Sequence, residues 1–77
     1  MEEIAEKIQK EIARLAFKNV SRTESLIQSK LLDSISLIDL IMFIEEETGK
    51  QIPQHLIIEE NFDTIEAILK TLKKLDE

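Results

Sequence analysis

Apolar side chains recur at helical spacing near the start of the chain: Ile4, Ile8, Ile12, then Leu15 and Ala16. Glu2, Glu3 and Glu6 come first and Lys10, Arg14 and Lys18 later, the order of charge that a helix dipole favours. The spacing predicts a helix over residues 3–17 with one buried stripe. Residues 19–33, NVSRTESLIQSKLLD, follow as a connector rich in Ser and Thr, without Gly or Pro. A connector this long is usually functional or pinned by its own apolar residues. Leu26, Ile27, Leu31 and Leu32 are the candidates for pinning it.

A second helix is predicted from Ser34 to Thr48, stopped by Gly49, the only glycine, at a C-cap position. Pro53 disfavours helix through Gln51 and Ile52, and residues 54–60 have room for a short helical turn. Asp63, with Glu66 three positions on, resembles a capping box that opens a last helix. Ile65, Ile68, Leu69, Leu72 and Leu75 mark its buried stripe, with Lys70, Lys73 and Lys74 near its end. Strand alternation and internal repeats are lacking. The expected fold is all-α, a small four-helix bundle of three longer helices plus one short helix, in a single domain spanning residues 1–77.

Composition narrows the chemistry. Hydrophobic residues make up 43% of the 77 positions, and a core this small supplies only about 3–5 kcal/mol net. There is no cysteine, hence no disulfide and no thiolate chemistry. Sixteen acidic residues against ten basic ones give a net charge of −6. That charge repels phosphate backbones, which argues against nucleic acid, and it favours partners that present Arg and Lys. The opening MEEIAEKIQK is amphipathic, without the apolar run of a signal peptide. No stretch approaches the roughly 20 apolar residues of a membrane span. The expectation is a cytoplasmic protein with no membrane insertion, acting as a monomer.

The second helix carries more apolar surface than one buried face needs. At about 100° per residue from Ser34, Leu37, Leu40, Ile41 and Ile44 fall between roughly 240° and 340°, an ordinary core stripe. Ile35, Ile38 and Met42 form a separate patch between roughly 40° and 100°, bordered by Asp39, Glu45 and Glu46 at roughly 140°, 20° and 120°. Phe43, near 180°, belongs at the bundle's edge. An apolar patch ringed by carboxylates is what a docking surface for a basic partner looks like. The alternative is a helix buried almost all round, which would drag those carboxylates inside. Glu45, Glu46 and Glu47 also crowd the last turn, where the dipole favours cations. A local rule broken without compensation is expected at functional sites, although a solvated charge run reads the same way.

Ser34 stands at the helix N-terminus, where free backbone N–H groups and the dipole stabilise phosphate. A phosphodiester on its hydroxyl would be electrostatically welcome there. An N-cap serine occupies the same place, and spacing does not choose between the two.

The stretch LLDSISLIDLIMFIEEETGKQIP, residues 31–53, resembles the acyl carrier protein family, in which Asp-Ser-Leu opens the second helix. IIEENFDTIEAI, residues 57–68, is similar to the third-to-fourth-helix segment of free-standing acyl and peptidyl carriers. The match is dense from Leu31 to Leu72. It implies that Ser34 carries a 4′-phosphopantetheine arm donated by coenzyme A through a phosphopantetheinyl transferase. Acyl groups would then ride on the arm's thiol as thioesters. Asp33 would support Ser34 near the transferase's metal, while Ile35, Ile38, Asp39, Met42, Glu45 and Glu46 would be read by partner enzymes. Those partners are an acyl- or aminoacyl-loading ligase and downstream transferases or synthases of a fatty-acid, polyketide, nonribosomal-peptide or related pathway. The glycine that commonly precedes the motif by four residues is replaced by Lys30, and Ser36 and Leu37 stand where many fatty-acid carriers have acidic or polar residues. LLDS and NFDTI lean toward a specialised carrier loaded by an adenylating enzyme.

Other chemistry is thin. His55, the only histidine, has no serine or cysteine beside it and reads as a surface residue. Glu45–Glu47 and Glu59–Glu60 lack the spacing of a calcium loop, so no metal site is expected. Phe17, Phe43 and Phe62 read as core, with Phe62 a candidate for lining a channel around a tethered acyl chain. The chain is therefore expected to be a carrier and not an enzyme. The rival is a structural or regulatory helical module that keeps the carrier fold and leaves Ser34 unmodified.

Overall fold

A computed structural model describes residues 2–76. Its helices are α1 (Glu2–Ala16), α2 (Ser34–Thr48), α3 (Glu59–Phe62) and α4 (Ile65–Leu75), with a 3₁₀ turn at Gln54–Leu56 between α2 and α3. No strand occurs among the described residues. This is the all-helical bundle expected from the pattern, three longer helices and one short.

The core joins one face of each long helix. Ile8 and Ile12 from α1 meet Leu40, Ile41 and Ile44 from α2, and Phe62, Ile65, Ile68 and Leu72 from α3 and α4. Each such side chain contributes roughly 1.5–3 kcal/mol when fully buried. Phe62 lies wholly inside this cluster. The Cα radius of gyration is 11.2 Å, against roughly 11.5 Å expected at this length.

α1 packs against α2 and α4, and α3 against α4. α1 and α2 run antiparallel: Lys7, early in α1, pairs with Glu47, late in α2, at 3.1 Å. The loop that begins after α1 therefore starts at the same end of the bundle as Ser34.

Residues 17–33 are held by apolar and polar anchors. Val20, Leu26 and Leu32 are buried, and Ile27 and Leu31 lean on the core. The Gln9 side chain donates to the Val20 carbonyl at 2.7 Å. The strongest clip is Asp63, whose Oδ1 accepts the N–H of Ile27 at 2.8 Å, the N–H of Gln28 at 3.0 Å and the Ser25 hydroxyl at 2.9 Å. Its own carbonyl accepts the Leu26 N–H at 2.6 Å.

That role displaces the predicted capping box. The N-cap of α4 is Thr64, whose hydroxyl accepts the Ala67 N–H at 3.0 Å, and Glu66 is exposed. Asp63 and Thr64 both suit a helix start by type. The loop supplies three donors to one of them, which sequence spacing does not reveal.

Phe17 is also corrected. It is 94% exposed and left-handed, with φ 59°. α1 ends in a Schellman turn, in which the Lys18 N–H reaches back to the Ala13 carbonyl. The left-handed residue within that turn swings its side chain out of the buried stripe. Phe43 is half-buried at the edge of the core.

Candidate functional site

α2 starts on an aspartate cap. Asp33 is extended, with φ −89° and ψ −177°, and its carboxylate accepts the Ser36 N–H at 2.8 Å. The Ser36 N–H, then the Ser36 hydroxyl and the Ile35 N–H, hold the Asp33 carboxyl below its ordinary value. It is therefore ionised at neutral pH. Ser34 is the first helical residue and is exposed. Among the described residues no side-chain hydrogen bond engages its hydroxyl, because Asp33 has taken the capping role. A nucleophilic oxygen thus stands free at the positive end of a helix of 15 residues.

The lateral surface of α2 divides as the helical plot predicts. Leu40, Ile41 and Ile44 are buried and Leu37 packs against them. Ile35, Ile38 and Met42 are 73%, 57% and 61% exposed. Asp39 and Glu46 are exposed beside them.

Glu45 departs from the expected rim. It is half-buried, and its carboxylate accepts the Ile52 N–H at 2.8 Å. Glu47 pairs with Lys7. Two of the three glutamates in the last turn are thus answered by partners outside the helix, so the break in the dipole rule is compensated. Glu46 alone of the three keeps an exposed carboxylate without such a bond among the described residues. α2 closes on Gly49, left-handed at φ 69°, with its N–H on the Glu45 carbonyl at 2.9 Å.

Two further exposed apolar residues escaped the sequence reading, Phe17 and Ile58. Ile58 precedes α3 as its N-cap, without a side-chain cap bond. It is extended there, with φ −127° and ψ 157°. His55 is exposed in the 3₁₀ turn. A shallow groove lies between α1 and the start of the loop, lined by Glu6, Gln9, Lys10, Ala13, Asn19 and Val20. It does not include Ser34. No described helix is long and apolar enough to cross a membrane.

No protein-family model and no curated protein matches the chain. Among solved structures it is similar to a Bradyrhizobium japonicum glycine:[carrier protein] ligase complexed with glycylated carrier protein. The identity is 24% and the TM-score 0.73, over 90% of this chain and 93% of the matched one. It is also similar to that ligase complexed with its cognate carrier protein and an analogue of glycyl adenylate, at 23% identity and TM-score 0.76, over 94% of both chains. Chains so nearly spanned by 77 residues are the small carriers of those complexes. The fold is shared with them.

Proposed function

We propose that this chain is a carrier protein that bears a 4′-phosphopantetheine arm on Ser34 and is loaded by an amino-acid- or acyl-activating ligase. The observation that carries the reading is the free Ser34 hydroxyl at the start of α2, left uncommitted by the Asp33 cap. The fold shared with carrier chains supports it. When bound, the arm supplies a terminal thiol that holds the cargo as a thioester.

The chain's own residues do the rest. In the modification step the Ser34 oxygen would displace the adenosine 3′,5′-bisphosphate portion of coenzyme A at phosphorus, giving up its proton to a base of the transferase. Asp33, one residue away and ionised, would offer its carboxylate to the cationic groups, metal or basic, of the transferase. The helix N-terminus offers N–H groups to the resulting phosphodiester. Ile35, Ile38 and Met42, with Asp39 and Glu46 beside them, form the address read by partner enzymes, with Glu45 shaping the end of the helix behind it. Tethering raises the cargo's effective concentration at each partner's active site. Contacts through exposed charges should be salt-sensitive, as a shuttle that must dissociate requires.

Incubation with coenzyme A and a promiscuous phosphopantetheinyl transferase, followed by intact mass measurement, tests the reading. One pantetheine adduct, abolished by Ser34→Ala, is the expected result. A folded but unreactive protein would favour a purely structural or regulatory module.

A further inference from the structure

Phe17 has no role in folding that explains its presence. It is among the bulkiest side chains in the protein, stands 94% exposed, and occupies a left-handed position that favours Gly or Asn. Any residue tolerant of that backbone would end α1 as well.

Its position relative to Ser34 follows from the antiparallel packing of α1 and α2. The Lys7–Glu47 contact sets one level along the pair. Ten residues on from Lys7 is Phe17, and ten back from Glu47 is Leu37, each a step of roughly 15 Å. Phe17 is thus level with the first turn of α2. Arg14 agrees with this register. The hydrogen bond it donates to Glu11 is first in holding its guanidinium above the ordinary value, and Asp39, on the matching turn of α2, adds to the effect. Helix axes lie roughly 8–10 Å apart in such packing, so Phe17 stands within about 15 Å of Ser34.

An enzyme that works on Ser34 must seat its face on this end of the bundle. A standard interface covers about 800 Å² per partner, a disc of roughly 16 Å radius. Centred on Ser34, a disc of that radius spans Ile35 and Ile38 and extends as far as the estimated distance to Phe17. Exposed aromatics enclosed in this way are preferred anchors of protein interfaces.

We propose that Phe17 is a docking contact for the phosphopantetheinyl transferase that modifies Ser34, received in an apolar pocket, while basic groups of that enzyme face Asp33 and Asp39. The inference rests on the carrier reading above. It adds an anchor on α1 to a surface otherwise formed by α2.

The test is steady-state modification of the apo protein by a promiscuous transferase with coenzyme A, comparing the wild type with Phe17→Asn and Phe17→Tyr. Asparagine accepts the left-handed backbone, so folding is preserved, and circular dichroism checks it. Phe17→Asn should raise the KM for the carrier about tenfold with kcat little changed, as loss of an interface anchor does. Phe17→Tyr should restore it. Equal KM for all three proteins overturns the inference and leaves the carrier reading intact. Absence of any adduct on the wild type overturns both.

Discussion

The Asp33 carboxylate accepts the backbone N–H of Ser36 at 2.8 Å, and this bond leaves the hydroxyl of Ser34, the first of the two residues between them, out of the capping role. A serine capping its own helix would have spent that hydroxyl on the backbone. In the proposed carrier role, cap and attachment point are divided between neighbours. The negative charge of the cap also lies one residue from the Ser34 oxygen.

Asp33→Asn separates these two contributions. Asparagine caps as well as aspartate, so the melting temperature should hardly move. The charge offered to the transferase's cationic groups would be gone, and kcat/KM for pantetheinylation should fall by about tenfold or more. A parallel thermal melt and modification time course checks both. Unchanged kinetics would leave Asp33 a cap and nothing else.

Asp63 contributes to acid stability. Partial burial pushes its carboxyl up, but the N–H groups of Gln28 and Ile27, the Ser25 hydroxyl and the Leu26 N–H outweigh that and hold it below the ordinary value. A depressed folded pKa gives stability that is complete above the unfolded value, about 3.9, and lost as pH falls through the folded one. Glu2, Glu24 and Asp33 are shifted the same way, so the acid transition is shared. Asp63→Ala should cost about 1–3 kcal/mol at neutral pH and flatten the decline below pH ~4. Urea titrations at neutral and acid pH measure both effects. An equal loss at every pH would mean the clip does not depend on charge.

Much of this was legible in the sequence, and the failures share a cause. Ile8, Ile12, Ile65, Ile68 and Leu72 sit in the core because helical periodicity is local and burial follows it. The exposure of Ile35, Ile38 and Met42 follows from the same geometry applied to a helix with two apolar stripes. The capping box expected at Asp63 and the core place expected of Phe17 failed, and the partial burial of Glu45 escaped the pattern, because their surroundings come from elsewhere in the chain. Asp63 is claimed by a loop 36 residues away and Glu45 by Ile52 across the Gly49 turn. Phe17 is turned out by a backbone conformation that its side chain gives no reason to expect.

Lys30 is a like case with a testable consequence. It holds φ 65° where the resembled family commonly places glycine, and its N–H bonds to the Ile27 carbonyl at 3.0 Å. A side chain in that region costs about 1–2 kcal/mol, less the greater entropy glycine brings to the unfolded chain. Lys30→Gly should therefore stabilise the domain by about 0.5–1 kcal/mol. Chemical denaturation gives the answer directly, and a loss of stability would refute the account.

The two stripes of α2 make opposite predictions for the same substitution. Met42 is largely exposed and Ile44 fully buried, two positions apart on one helix. Met42→Glu adds a charge to water and should leave the helical circular dichroism signal intact. It should nonetheless impair transfer with a ligase or transferase that docks on the patch, because it replaces an apolar contact and adds to an already acidic face. Ile44→Glu puts a carboxylate into a core with no cation to meet it, a penalty of more than about 4 kcal/mol. That is comparable to the roughly 3–5 kcal/mol a domain of this size has to lose, so the protein should unfold. Far-ultraviolet spectra of the two variants decide the matter. Collapse of the signal in Met42→Glu would mean that the patch is part of the packing, and the docking surface would have to be sought elsewhere.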